Sequence, residues 1–467
     1  MVHLRRVLGL WDLVLLGIVA VFNLNLVPPI AAGGFPSIAF WIVGLLFFFL
    51  PQGVAVAEFA TRYPEEGGIY LWTKKLLGDF HGFFCGWCYW VTNVFYIPTL
   101  LVYLVGILVY EKNTLSGSSS ENIPLQIALS LGFLWFFTWL SIRGLGVNKW
   151  LNNMGGVAAI VTTIALILMC VLVFRQQGLA QLPGVSGFLP TLSGWRTVSA
   201  LGVICLGLIG LELGSVMGDE IEEPRRNVPR AALLGGIACG VLYLSATFVL
   251  LLALPVKEIS SVSGVLQAFH GMGTRLGLGG LHSVVALVLG VSICGTISAW
   301  LSGAARIPFV AGIDRYLLPA FSRLHPRYGT PHVSLVAQAI AASLAILLSF
   351  VGNNVKVREA YTTLLALTVF TNLVPFVYLY AGLMKVAGAP GGFYRSQLWL
   401  RLTGFIGLLA TLLALATTFV PSAEIKSIGW FELKLLIGLG VFIGVAAAWF
   451  RWVAPRRQAL NAPTPAD

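Results

Sequence analysis

Leu206 to Arg230 reads LGLIGLELGSVMGDEIEEPRRNVPR, which sets three glycines, Gly207, Gly210 and Gly214, and a lone carboxylate, Glu212, inside an otherwise apolar run. A helix at membrane depth is stable because every backbone N–H and C=O pairs within it, so an interruption there is tolerated only where it lines a cavity or is buried in protein. The stretch therefore predicts a broken membrane helix beside a binding cavity.

Composition supplies the membrane. The chain is 58% hydrophobic and 10% charged, with a mean hydropathy of +0.88, against roughly a quarter charged residues in soluble domains. About 20 apolar residues cross the hydrocarbon. Twelve candidate spans follow, at 9–32, 38–62, 81–110, 123–142, 147–175, 197–220, 230–254, 281–305, 332–350, 360–383, 400–420 and 430–452. The polar segments at 111–122, 176–196 and 255–280 are too short to bury a core of their own.

Most of the 29 Lys and Arg fall on one side of this arrangement, Arg5, Arg6, Arg62, Lys74, Lys75, Arg225, Arg226, Arg230, Arg306 and Arg315 among them. The positive-inside rule then predicts an even number of spans with both termini cytoplasmic, in the cell inner (plasma) membrane. The net charge of +11 reports topology and anionic lipid headgroups. No basic run is interleaved with aromatics as a nucleic-acid site would require. The first apolar stretch carries Asp12, runs past 20 residues and lacks a small-x-small cleavage site, so it reads as a retained span.

Six cysteines and six histidines are dispersed. Cys85-Gly86-Trp87-Cys88 matches C-x-x-C but lacks the soluble βαβ setting of redox motifs, which leaves ordinary buried thiols. No His pair has metal-ligand spacing, and no nucleophile with its base is evident in the connections. These features predict neither an enzyme nor a resident cofactor.

The first span, GLWDLVLLGIVAVFNLNLVPPIAAGG (9–34), pairs Asn23 and Asn25 with Pro28-Pro29. Proline removes a donor and clashes with the preceding turn, so this helix is predicted to break near 23 to 28, with the asparagine amides bonding freed backbone or a ligand. Spans one and six are five apart, the spacing of two inverted halves, and paired interruptions mark a transporter's midplane site. Glycines that merely let helices pack closely are the alternative. A carboxylate within a span weighs against that alternative, because such groups are expensive unless functional or paired.

Three segments carry a family resemblance. EFATRYPEEGGIYLWTKKLLG (58–78) resembles the connection between helices two and three of the amino acid-polyamine-organocation superfamily of transporters. DEIEEPRRNVPRA (219–231) is similar to its exit from helix six, and ARIPFVAGIDRYLLPAFSRLHPRYGTP (305–331) to its connection after helix eight. The resemblance implies an all-α integral membrane protein with a LeuT-type 5+5 inverted repeat, broken helices one and six, and twelve transmembrane helices. The implied organisation is a tail at 1–7, a first repeat at 8–176, a second at 197–385, helices 11 and 12 at 399–453 and a tail at 454–467.

By the same resemblance the substrate lies between the two breaks, against Asn23, Asn25, Leu26, Ile209, Gly210, Leu211, Glu212 and Trp300, with Leu206 where the arginine/agmatine antiporter branch has a gating tryptophan; Tyr96 in span three is a candidate lining residue read from the sequence. Three departures stand out: the usual helix-one G-x-G is replaced by Val21 to Leu26, the gate is aliphatic, and 153–175 holds no lysine of the kind that replaces sodium in some relatives. Glu212 is left as proton carrier, amine ligand or helix brace. Ser298, with Ser302, stands where sodium-coupled relatives offer hydroxyls, so proton or sodium coupling is open. Asn93, Tyr361, Thr362 and Thr363 are further pathway candidates. Glu58, Arg62, Glu65, Glu66, Asp219, Glu220, Glu222, Glu223, Arg225 and Arg226 form charge clusters that could pair across helices as an inward gate.

The resulting expectation is a secondary active transporter, permease or antiporter, moving an amino acid by alternating access, its partners being that substrate and the lipid bilayer. A polyamine or cationic amine transporter is the nearer alternative. A channel, which would need a continuous polar lining, or a ligand-sensing membrane protein is the more distant one.

Overall fold

The computed structural model describes residues 8–65, 67–116, 122–177, 185–189, 200–216, 220–314, 316–351, 357–389, 392–420 and 428–461. The described chain is helical apart from short turns and one isolated parallel bridge between Leu8 and Ile221. That follows from composition: in hydrocarbon the backbone must satisfy itself within each segment.

The elements run α1 (Leu10–Val21), a 3-10 turn (Leu24–Leu26), α2 (Val27–Ala31), α3 (Pro36–Gly44), a π turn (Leu45–Phe49), α4 (Leu50–Arg62), α5 (Gly68–Leu77), α6 (Asp79–Ser116), α7 (Ile123–Ile142) and α8 (Leu145–Gln177). They continue with α9 (Ala200–Gly207), α10 (Leu213–Val216), α11 (Pro224–Ala253), α12 (Gly264–Arg275), α13 (Leu281–Ala304), α14 (Arg306–Ile313), α15 (His332–Ser349), α16 (Val357–Val386), α17 (Gln397–Thr417) and α18 (Ile428–Asn461). Among the described residues, 11 helices are long and apolar enough to cross a membrane. The span expected at 197–220 is not one of them, because it appears as the short pair α9 and α10 around a break. The chain is a multi-pass membrane protein.

Burial separates two kinds of apolar surface. Trp41, Trp72, Trp300, Tyr243 and Tyr361 are buried inside, whereas Leu233, Ile237, Leu287, Leu409 and Leu436 stand exposed around the outside. An apolar exterior of this extent is the surface a bilayer covers. Inside, α1 packs on α11, α8 and α13, and α6 packs on α16 and α13. The α8 contact is backbone-close: a Cβ on Gly155 would lie 2.6 Å from Gly295 Cα, and one on Gly156 would lie 3.0 Å from the Leu15 carbonyl oxygen. Small residues permit such approach between membrane helices. No long side chain fits at Gly155.

The face that bears Leu8 is tied by polar contacts. Leu8 and Ile221 are held by Leu8 N–H to Glu220 O at 3.1 Å and Glu222 N–H to Leu8 O at 3.0 Å. Glu220 in turn forms a buried ion pair with Arg306. Lys74 pairs with Asp314 at 2.6 Å, and the Tyr70 hydroxyl donates to the same carboxylate at 2.5 Å. Lys149 pairs with Asp12 at 2.7 Å. Arg62 pairs with Glu58 one turn earlier, at 2.6 Å, and donates to Ala389 O at 2.9 Å, while Tyr394 N–H donates to Glu58 at 3.0 Å. The segment after α16 thus closes over a buried ion pair.

The expected charge clusters therefore resolve unevenly. Glu220 pairs across helices, Glu65 meets Lys75, and Arg226 meets Glu223 only locally and exposed. Glu66 and Asp219 lie outside the described residues, as do the tail at 1–7 and 197–199. Cys85 and Cys88 are free thiols buried in α6.

Candidate functional site

α1 ends at Val21 because Phe22 and Asn23 take extended conformations, with ψ of 102° and 105°. Pro28 and Pro29 then sit in the first turn of α2, the one place in a helix where proline's missing N–H costs little. The break leaves the last carbonyls of α1 without intrahelical donors.

Side chains from three directions supply them. Val19 O accepts the Thr296 hydroxyl at 3.0 Å, Ala20 O accepts the Trp300 indole N–H at 3.1 Å, and Val21 O accepts the Tyr243 hydroxyl at 2.6 Å. Asn23 folds back, its Nδ2 donating to Ala20 O and Val21 O, both at 3.0 Å, and its backbone N–H donates to the Tyr243 oxygen at 2.9 Å. Asn25 is buried against Tyr361, whose hydroxyl donates to Asn25 O at 2.9 Å. The Asn23 amide thus bonds freed backbone, while the Asn25 amide donates to the Tyr361 hydroxyl at 3.4 Å.

The second break runs from Leu208 to Glu212 between α9 and α10. Gly210 has φ +138°, which L side chains rarely adopt, and a Cβ there would sit 3.0 Å from the Ala20 carbonyl carbon and 3.0 Å from Val21 Cγ2. Only glycine brings the two breaks into contact. Glu212 then turns back on the break. Its carboxylate accepts the Gly210 N–H at 3.1 Å, the Gln52 Nε2 amide at 2.8 Å and the Tyr89 hydroxyl at 3.1 Å. Its own carbonyl receives Ser215 N–H and hydroxyl at 2.9 and 2.6 Å. A fully buried carboxylate is tolerable where hydrogen bonds replace its water.

Aromatic rings flank the junction. Tyr96 meets Trp300 edge-on at 5.6 Å, Tyr89 lies 6.1 Å from the same indole, Phe22 meets Tyr243 edge-on at 4.8 Å, and Trp41 stacks on Tyr243 at 4.2 Å. These rings and the two breaks form one apolar, hydrogen-bonded junction, with Glu212 as its buried acid.

The expected residues divide. Asn23, Gly210, Glu212, Trp300 and Tyr96 come together there, with Asn25 and Ile209 on the same two breaks. Leu26 contacts the α9 side, since a Cβ on Gly207 would lie 3.3 Å from its side chain. Leu206 is buried in the last turn of α9, where its carbonyl accepts Ile209 N–H at 3.1 Å. Leu211 lies against Gly53, Gly236 and a groove shared with Leu13, Leu16 and Val228.

Ser298 has a buried hydroxyl without a partner among the described residues, while Ser302 donates to the Ser298 carbonyl at 2.6 Å. Gln52, Tyr89, Tyr243 and Thr296 were not anticipated. Only Gln52 carried a signal, as a lone amide after Pro51 in an apolar span.

The sequence profile described as amino acid permease matches residues 8–444. A probable agmatine/putrescine antiporter of Lactococcus lactis, AguD, is 24% identical over 93% of this chain and 92% of its own. A glutamate/gamma-aminobutyrate antiporter of Lactococcus lactis is 27% identical over 85% of this chain and 80% of its own. The crystal structure of MhsT in complex with L-phenylalanine superposes with a TM-score of 0.63 at 14% identity, covering 89% of this chain and all of that one. The shared architecture is the LeuT-type fold.

Proposed function

The chain belongs to the amino acid permease family, and on that premise we propose that it carries an amino acid across the plasma membrane by alternating access around the two facing breaks. The observation that carries this reading is the contact of Gly210 with Ala20 and Val21, which joins two interrupted helices at one point. Two half-helices that meet there can tilt against their neighbours without breaking a continuous helix. The amino acid permease family and the antiporters among the similar proteins support a carrier.

The hydrogen bonding of Glu212 supports one substrate class over another within this reading. Its three donors all come from the protein, so its charge is already met. An amine-only substrate needs acid groups that wait for it. A zwitterionic amino acid, which brings a carboxylate for half-helix N-termini and an ammonium for carbonyls, suits the site better than a polyamine. The AguD relative's named substrates make agmatine and putrescine the contrast to test.

With Gly155 pressed on Gly295, α8 has no room for a lysine side chain at that position, and the group assigned to proton-linked exchange in this reading is Glu212. Both termini are assigned to the cytoplasm on the distribution of Lys and Arg, which makes the Leu8 face the inward gate. The ties Lys74 to Asp314 and Arg306 to Glu220 are the contacts that open when the site faces the cytoplasm.

Counterflow tests the reading. Purified protein in liposomes preloaded with unlabelled amino acid is expected to accumulate the labelled one faster than empty liposomes do. Equal uptake with and without internal amino acid would point to a channel, and acceleration by putrescine or agmatine alone would reverse the substrate assignment.

A further inference from the structure

Gln52 is placed by an irregularity in its helix. The π turn Leu45–Phe49 lies just before Pro51, whose missing N–H leaves the preceding turn one donor short, and the Phe48 carbonyl accepts the Tyr380 hydroxyl at 2.7 Å. Such wide turns recur at functional positions. Here the next residue, Gln52, is fully buried and aimed across the bundle at Glu212, 160 residues further along the sequence.

Only half of the Gln52 amide is used. Nε2 donates to Glu212 Oε2 at 2.8 Å, while Oε1 is buried without a partner among the described residues. A buried polar atom left unpaired calls for a reason. Glu212 shows the complementary pattern: Gln52, Tyr89 and Gly210 all donate to it. Three donors suit an ionised carboxylate, which only accepts. A neutral carboxyl carries an O–H and must find an acceptor instead. Gln52 Oε1 belongs to the same amide, and the terminal torsion of glutamine is soft and roughly two-fold.

We propose that Gln52 is a positioning residue for Glu212, presenting its N–H to the ionised carboxylate and turning over to present Oε1 to the neutral acid. The unwound segment at Gly210 then keeps one geometry in both protonation states. The proton itself moves between water and Glu212, and no other bond is made or broken. The titratable neighbours of the pair are Tyr89 on α6 and Tyr380 on α16, with Cys85 beside Tyr89 and Cys205 beside Tyr380. No Lys, Arg or His pairs with Glu212 among the described residues. This inference rests on the reading that Glu212 exchanges a proton during transport.

Infrared difference spectra between acid and alkaline pH, recorded on the full-length protein in liposomes with isotope-labelled glutamine, test it. Wild type is expected to show a carboxyl C=O band together with a change in the glutamine amide carbonyl band, and Glu212→Gln is expected to lose both. Gln52→Met, similar in volume but without donor or acceptor, is expected to lose the amide change and shift the carboxyl band. It should also alter the ratio of exchange at acid to alkaline pH by about fivefold, since hydrogen bonds to charged and to neutral groups differ in strength. A carboxyl band without an amide change in wild type overturns the proposal, as does the absence of any titrating carboxyl. The wild-type arm decides even if Gln52→Met does not fold. Absence of counterflow in the same liposomes would fail the transport reading alone.

Discussion

The indole N–H of Trp300 donates to the carbonyl of Ala20 at 3.1 Å, across 280 residues of sequence, and so fastens α13 to the end of the first broken helix. Trp300→Phe keeps a ring against Tyr96 and removes the donor. The Ala20 carbonyl retains the Asn23 amide, so the loss is that of one buried hydrogen bond, about 1 kcal/mol. A rise in the exchange KM of about fivefold, with the melting temperature lowered by a few degrees, is the expected outcome. An unchanged KM would remove Trp300 from the site.

Asn23 serves two carbonyls at once. Asn23→Ala leaves Val21 O with the Tyr243 hydroxyl and Ala20 O with Trp300, but leaves the break without its internal brace. Thermal unfolding in detergent should register a loss of about 1–3 kcal/mol, the sum of two buried hydrogen bonds at about 0.5–1.5 kcal/mol each. Stability equal to wild type would mean that water or a rearranged helix supplies those groups.

Gly210→Ala combines a left-handed-side backbone at φ +138° with contact at 3.0 Å to Ala20. Strain of about 1–3 kcal/mol and separation of the two breaks are expected. Exchange should fall by at least about tenfold while the protein still reaches the membrane. Full activity would show that the two breaks need not touch.

Glu212→Gln replaces an acceptor of three donors by an amide that must turn one N–H toward them. Exchange is expected to drop by about tenfold or more, since hydrogen bonds to charged groups contribute about 1.5–3 kcal/mol, and its dependence on pH is expected to flatten. A pH profile identical to wild type would leave Glu212 as a brace only.

Asp314→Asn tests the face that bears Leu8. The carboxylate is partly exposed and holds Lys74 and the Tyr70 hydroxyl. Pairs so placed contribute about 0–1 kcal/mol to stability, so the melting temperature should barely move. Turnover should change several-fold, because the pair biases one conformation of the carrier over the other. A large loss of stability without a change in turnover would make the pair structural.

The breaks were legible because their causes are chemical and local: Pro28-Pro29 cannot continue a helix, and Gly210 with Glu212 cannot be ordinary lipid-facing sequence. What bonds to those breaks was not legible. Thr296, Tyr243 and Gln52 are single polar residues on apolar helices, and such residues usually serve as interhelical glue. Their part depends on the rotation of each helix, which a local reading does not give. The Glu220 to Arg306 pair joins two segments that each resembled the family, yet nothing in either named the other as partner.

The central claim is that an amino acid is held where the two breaks meet, and a structure of the protein bound to whichever amino acid gives the fastest counterflow tests it most directly. The account requires ligand density between Ala20–Asn23 and Ile209–Glu212, within reach of Trp300. Density elsewhere in the bundle, with this junction still closed on itself as described, would contradict it.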